Sequence, residues 1–349
     1  MGNKIKPFIC LGIETSCDET AVSIVRSGKD ILANVVLSQI DIHSAYGGVV
    51  PEIACRAHIE SLLPILEKAL KDARIKLEDI SAVAVTNRPG LIGALLVGLS
   101  VAKTLAWVLN KPLIPINHIE AHLYINSLSE NLPYPYVGLV VSGGHTSLFW
   151  VKSPTDYRTI GRTRDDAAGE SFDKVAKILG LGYPGGPLIE KIGRKGNPRA
   201  IKFPKGITDS KALDFSFSGL KTAVLYYCKG QNASAKSPLK KGLHIPDICA
   251  SFQEAVADTL IEKSFKVAGL KKAKAIVLGG GVACNERLRN KFQIQSVKEG
   301  VRVYLPAKKL CTDNAVMVAA MAYAKHQASA QWRNLSDKQL LLDAYSTAE

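Results

Sequence analysis

YVGLVVSGGHTSLFWVK, residues 136–152, reads as an apolar strand, a small polar turn and a second apolar strand, followed by a polar turn and YRTIG. The same logic opens the chain. FICLGIE (8–14) is an apolar strand, TSCDET (15–20) a turn, and AVSIVRSGKDILANVVLSQ (21–39) continues as strand, hairpin and strand. Sliding the first copy by 128 residues lays Leu11–Glu14 on Leu139–Ser142, so the two turns coincide. A duplicated α/β unit is the simplest account of such a repeat.

Between the copies, 51–73 has helical apolar spacing, ISAVAVT (80–86) reads as a buried strand, and 91–109 as a helix behind the Pro89-Gly90 turn. Strand LIPI then leads into a helix over NHIEAHLYINSL (117–128). The second half is expected to give helix GESFDKVAKILG, a polar loop-rich stretch to about Lys241, a helix over 246–269, strand AIVLGGG and helix CNERLRNKF. Strand VRVYLP and helix TDNAVMVAAMAYAKH close the body. The Lys- and Ser-rich segment 229–242 is read as a mobile loop.

With 349 residues, 47% of them hydrophobic, the chain can bury a substantial core. Its longest apolar runs, such as Ala94–Val101, are interrupted by Gly, Lys or Ser before the ~20 residues a bilayer requires, so no span is predicted. The run Phe8–Ile13 follows a short Lys-containing lead and runs into polar ETSCDET. It reads as a strand rather than a signal peptide, and with no arginine-rich presequence a cytoplasmic location is expected. Seven scattered cysteines without a CxxC pair argue against a disulfide framework and a thiolate zinc site; Cys17 is the one expected near a site.

The formal net charge is +14. Basic residues cluster at Lys191, Arg194, Lys195, Arg199, Lys202 and Lys205, at Lys240 and Lys241, at Lys271, Lys272 and Lys274, and at Arg287, Arg289 and Lys291. Such clusters make either a solubility surface or a nucleic-acid face; their concentration after residue 150 favours the latter.

His118 and His122 stand four apart, stacked on one helix face, the spacing with which two imidazoles share a metal. Glu120 lies ~200° round the helix from them, so it cannot be a zinc-protease general base. Two ligands are too few, and Asp313 before the last apolar helix is the best third, although an Asp there also reads as an N-cap. In VVSGGHTSLF the paired glycines let backbone amides approach a phosphate or acyl oxygen, or form an ordinary hairpin. ETSCDET is the equivalent turn, with Glu14, Thr15, Ser16 and Asp18 as phosphate-loop candidates. Asn285 after the three glycines of VLGGGVACNERLR can donate and accept against a base or ribose, and Asp173 with the Gly185-Gly186 turn can hold substrate hydroxyls.

Taken in order, GIETSCDETAVSIV, NHIEAH, VVSGGHTSL, AAGESFDKVAK, GYPGGP, FSFSGLKTAV and GGGVACN resemble the bacterial TsaD branch of the threonylcarbamoyl-adenosine tRNA-modification proteins, the old glycoprotease family, over about residues 8–325. The resemblance implies an α/β, actin/Hsp70/sugar-kinase-like duplicated fold with two lobes around a nucleotide cleft. The first lobe would span 1–134, completed by a C-terminal helix at about 312–349, and the second 135–311. It implies transfer of a threonylcarbamoyl group from threonylcarbamoyl-AMP to the N6 amine of adenosine 37 in tRNAs reading codons that begin with A, releasing AMP. It also implies one divalent metal, Fe2+ first with Zn2+ or Mg2+ as rivals, at His118, His122 and Asp313. Substrate contacts would fall at Val141, Ser142, Gly143, Gly144, His145, Asp173, Gly186, Glu190 and Asn285, and no side chain serves as a covalent nucleophile. The implied partners are tRNA, a TsaB-like paralogue, sought at helices 51–73 and 91–109, and a TsaE-like ATPase. A small-molecule kinase of the same superfamily, a metallopeptidase and an actin-like polymer are the alternatives. The kinase and the polymer leave the histidine pair without a task.

Overall fold

The computed structural model describes residues 7–207, 212–234 and 236–347; the Lys-bearing lead (1–6) and Ala235 of the 229–242 loop lie outside the described residues. The chain divides into two compact units, Met1–Leu132 with Asp313–Glu349, and Pro133–Thr312.

In the first unit, β1 (Ile9–Glu14), β2 (Glu19–Arg26) and β3 (Asp30–Ser38) precede a short helix α1 (Ile40–Ser44) and the long α2 (Pro51–Ala73). Then come β4 (Ala82–Arg88), α3 (Ile92–Leu109), β5 (Leu113–Asn117) and α4 (His118–Tyr124). The second unit runs β6 (Tyr136–Val141), β7 (Thr146–Ser153), β8 (Asp156–Arg162), α5 (Ala168–Leu179), α6 (Gly185–Gly193), α7 (Ser218–Lys229), α8 (Ile245–Lys271), β9 (Ala275–Gly279), α9 (Glu286–Glu299) and β10 (Arg302–Tyr304). Helices α10 (Ala315–Ala328) and α11 (Asp337–Leu340) belong to the first unit again.

Each unit holds one five-stranded sheet of the same topology, β3-β2-β1-β4-β5 and β10-β9-β6-β7-β8. The strand triplets β1–β3 and β6–β8 pair antiparallel, whereas β1/β4/β5 and β6/β9/β10 pair parallel. The repeated hairpin read from the sequence is thus the seed of a repeated sheet. Continuous runs such as ICLGIE and YVGLVV are buried at every position, as strands covered on both faces must be. Gly12 in β1 serves the packing of α10: a Cβ there would meet the Ala315 carbonyl at 2.5 Å, so only glycine lets the helix lie this close.

Four sequence expectations need correcting. The stretch after α5 is expected to be loop as far as about Lys241, yet it contains α6 and α7. The glycines of GYPGGP suggest a turn, but Gly185 opens a helix. A Cβ at that position would come within 2.6 Å of the Phe172 carbonyl, so the residue serves close helix packing rather than a bend. The helix expected over 117–128 ends at Tyr124 and tightens into a 3-10 turn over Ile125–Leu128. Finally, α3 is long and apolar enough to cross a membrane by length and composition. The Gly and Ser residues counted as breaks do not offset its Leu, Val and Ala content, and Lys103 is its sole charge. Its buried face, with Ala94, Leu95, Leu99 and Ala102, packs on β4 and α2.

Candidate metal and substrate site

Asn117, the last residue of β5, caps α4: its side-chain oxygen accepts the amides of Ile119 at 2.8 Å and Glu120 at 3.4 Å. Capping starts the helix at His118, which fixes the direction in which His118 and His122 leave it. The rings meet edge to face with centroids 4.6 Å apart.

Helix α10 is capped by Asn314, whose side chain accepts the Met317 amide at 3.1 Å. The capping duty the sequence allowed for Asp313 therefore falls to its neighbour. The freed Asp313 carboxylate lies 3.0 Å from His122 Nε2 and 3.4 Å from His118 Nε2. One ligand atom from each of the three residues falls within 4.8 Å of the others. Glu120 turns the other way and pairs with Lys325 at 2.9 Å.

Behind His118 stands a carboxylate that the sequence had suggested for phosphate binding. Glu14, fully buried at the end of β1, places Oε2 3.1 Å from His118 Nδ1 and takes a hydrogen bond from the Thr86 hydroxyl at 2.7 Å. Its other oxygen accepts the Ser16 amide at 2.7 Å, and Ser16 Oγ lies 3.2 Å from the same His118 nitrogen. Thr15 spends its hydroxyl on the Ala94 carbonyl at 2.9 Å. Glu14, Thr15 and the buried Ser16 are thus committed inward, and the part of the loop left for a ligand is Cys17–Asp18.

The electrostatics follow from this packing. Burial opposes charge on Glu14, but His118 and Thr86 outweigh it and hold the carboxyl below its usual range. Burial likewise opposes charge on Asp313, and the two histidines overcome it, keeping the acid well below the ordinary carboxylate range. For His118, burial is outweighed by Asp313 and Glu14, which push its affinity for a proton well above normal; His122 is pulled down by burial. A protonated His118, with Nδ1 against the buried Glu14 and Nε2 against the half-buried Asp313, stands where a cation would neutralise the same charges. Cys17 beside the site is pushed well up by burial and by Asp18, so it stays a thiol. Glu19, missed from the sequence, is pushed up to about 10 by burial and then by Asp313 and Asp18, and stays a neutral acid.

The second unit holds the other expected contacts. The turn after Val141 is tight: the Ser142 amide donates to the His145 carbonyl at 2.8 Å, and the His145 amide to Ser142 Oγ at 3.1 Å. Gly143 and Gly144 are exposed, with open space where a Cβ would stand, and Gly186 is open in the same way. Asp173 accepts the Gly185 amide at 2.7 Å and so ties α5 to the start of α6. Glu190 pairs with Arg194 at 2.8 Å. Asn285 caps α9 through the Leu288 amide at 2.9 Å and donates to Gln253 at 2.7 Å, so both ends of its amide are engaged by protein. A cavity of about 350 Å3 is lined by Glu190, Gly193, Arg194, Gln253, Glu286 and Arg287, which places Gln253 on its wall.

The residues fit a divalent ion. Two imidazoles and a carboxylate on one side are the donor set of tetrahedral zinc sites and of open non-haem iron sites. Glu14 accepts from His118 Nδ1 and leaves Nε2 as the donor, the outer-shell arrangement that orients metal-binding imidazoles.

Comparison with known proteins matches residues 30–320 to the family described as TsaD, tRNA N6-adenosine threonylcarbamoyltransferase. Proteins carrying that name include one from Syntrophotalea carbinolica, 49% identical over 318 residues and covering 90% of this chain and 92% of its own. Another, from Thermosipho melanesiensis, is 54% identical over 317 residues, with 90% and 94% covered. A third, from Syntrophomonas wolfei, is 47% identical over 342 residues, with 98% and 97% covered. Among solved structures, HypF from T. kodakarensis is similar with a TM-score of 0.62 at 14% identity, covering 97% of this chain and 49% of that one. The ROK hexokinase from Thermus thermophilus gives 0.50 at 14%, covering 92% and 100%. At such identities the likeness concerns the fold alone, and it agrees with the actin- and sugar-kinase-like duplicated fold.

Proposed function

Since the chain belongs to the tRNA N6-adenosine threonylcarbamoyltransferase family, a family of acyltransferases that modify tRNA, we propose that it takes the threonylcarbamoyl group from threonylcarbamoyl-AMP and delivers it to adenosine 37 with a metal at His118, His122 and Asp313. The observation that carries the site is the convergence of those three side chains, with Glu14 holding the first of them. Fe2+ is the proposed ion, with Zn2+ and Mg2+ as rivals.

The chemistry asks little of a nucleophilic side chain. The donor is a mixed anhydride whose phosphate is already a fair leaving group. The adenine amine attacks the carbonyl carbon, a C–N bond forms, the C–O bond to phosphate breaks, AMP leaves and the amine gives up a proton. What the protein must supply is orientation and stabilisation of the charge that develops. A divalent ion bound by three side chains would supply Lewis-acid charge at its open positions. Glu14 and Ser16 fix the His118 ring. The exposed Gly143–Gly144 turn suits backbone approach by a phosphate or carboxylate oxygen of the donor, and the cavity beside Gln253 and Arg287 suits its nucleotide portion. The engaged Asn285 side chain would shape that cavity through Gln253. The peptidase alternative loses ground because Glu120 is paired with Lys325.

Helices α2 and α3 offer a surface for a TsaB-like paralogue. Ile59 and Leu63 on α2 are 61% and 56% exposed, and Ile92 and Leu96 on α3 add a second apolar pair at the same four-residue spacing. A TsaE-like ATPase, a tRNA face among the basic clusters and a cytoplasmic location complete the reading. The test is transfer of labelled threonine to unmodified tRNA by the protein with its partners, before and after chelation. Loss of transfer on chelation, with recovery on adding one of the three ions, supports the metal; transfer indifferent to chelation removes it.

A further inference from the structure

The turn that carries Ser16 is fastened through three consecutive carbonyls. The Ser16 carbonyl accepts the Leu91 amide at 2.9 Å, and the Asp18 carbonyl accepts the Gln39 amide at 2.9 Å. The Cys17 carbonyl between them lies 2.9 Å from His58 Nε2, the one side chain among these donors. His58 is fully buried on the inner face of α2, away from the exposed Ile59 and Leu63.

The hydrogen bonds define its state. A carbonyl only accepts, so Nε2 carries the proton. Nδ1 then accepts, from the Thr20 hydroxyl at 2.8 Å and from Gln39 Nε2, the side-chain amide, at 3.3 Å. The chain continues outward: Gln39 Oε1 faces His43 Nε2 at 3.1 Å, and His43 Nδ1 accepts the Val50 amide at 3.3 Å. Ser61 donates to the Ala57 carbonyl at 2.5 Å, and its oxygen lies 3.0 Å from Thr20 Oγ1. Every polar atom in the run has a partner, the condition under which a buried network holds one geometry. Burial lowers the affinity of His58 for a second proton, in keeping with a neutral ring.

We infer that His58 is a positioning residue for the transfer reaction: from α2 it holds the Cys17 carbonyl and the Thr20 hydroxyl, and so sets the Ser16–Asp18 turn against His118. It touches neither substrate nor metal in this role. Its effect passes through the Ser16 hydroxyl, 3.2 Å from His118 Nδ1. The inference rests on the site proposed above. The wild-type rate reports on that site and the ratio between variants on His58, so the two fail separately.

The experiment compares His58→Gln, whose amide can still donate to the Cys17 carbonyl, with His58→Met, which fills the space without a donor. Small displacements of reacting groups cost up to about 100-fold in rate. His58→Met should therefore lower kcat by about 10-fold to 100-fold, leaving the tRNA KM within about twofold, and His58→Gln should recover to within about fivefold of wild type. A structural role alone would not separate two variants of equal melting temperature in kcat. Equal losses in both, or a wild-type kcat in His58→Met, overturn the inference. Should His58→Met fail to fold, a His58→Gln rate more than about tenfold below wild type does the same, and a rate within fivefold supports it.

Discussion

Glu14 Oε2 lies 3.1 Å from His118 Nδ1, and neither residue is more than 6% exposed at its side chain. A carboxylate in that position is an acceptor for one imidazole nitrogen and so dedicates the other to whatever Asp313 and His122 face. The pair links the end of β1 to the start of α4, segments 104 residues apart in sequence. It follows that Glu14→Gln, which keeps the shape and removes the charge, should weaken metal binding about 10-fold to 100-fold, the range usual for outer-shell partners. Chelator competition with Zn2+ or Fe2+ measures it. An unchanged affinity would leave Glu14 a purely structural buried acid.

Acidity gives a second prediction. The His118 proton affinity is raised in the metal-free protein, while Glu14 and Asp313 are depressed and stay ionised near neutrality. A raised histidine contributes stability that is complete below its ordinary value near 6.5 and lost as pH climbs through the folded value. The metal-free protein should therefore lose melting temperature above pH ~6.5. Metal must displace that proton, so affinity should climb by about tenfold per pH unit in the same window. Calorimetry in buffers of different ionisation enthalpy counts the proton released, and a count of zero contradicts the charge pattern.

The basic clusters differ in how far the protein neutralises them. Arg287 and Lys291 pair with Glu254, and Lys205 with Glu262. Lys191, Lys195, Arg199 and Lys202 are exposed and form no ion pair among the described residues. Changing these four to Ala should weaken tRNA binding and flatten its salt dependence by about 0.7–0.9 in log–log slope for each phosphate no longer neutralised. Changing Arg287 and Lys291 should do less. The same slope in both variants would show that internal pairing does not choose the tRNA face.

Leu63→Asp and Leu96→Asp test the partner surface. Both side chains face solvent, so each substitution should leave the melting temperature within a few degrees. Placed in an apolar interface, each should weaken binding of the paralogue by about 30-fold or more, the scale of an interface hot spot. Titration calorimetry reads the loss, and unchanged binding moves the interface elsewhere.

Much of this is legible in the chain. Two apolar hairpins with coincident turns announce the repeated sheet because continuous Val, Ile and Leu runs permit few other structures. The i, i+4 histidines announce a shared face because helix geometry fixes it. Sequence leaves Asp313 between ligand and cap, since Asp313 and Asn314 are both good caps and one residue of phase decides between them. Glu14 reads as a phosphate-loop residue because its neighbours are polar; that β1 ends beside α4 depends on the order β1-β4-β5, which no local pattern states. Helices α6 and α7 escape because glycine and serine at their starts look like turns until the close packing of Gly185 on α5 is seen.

The most direct test of the central claim is transfer of labelled threonine, with bicarbonate, ATP, the partner proteins and the adenylate-forming enzyme, onto unmodified tRNA by wild type and by His118→Ala. Label in tRNA from wild type, with at least about a 100-fold loss in His118→Ala, is the predicted result. Equal labelling by the two would show that the His118, His122 and Asp313 cluster holds the fold together and takes no part in the transfer.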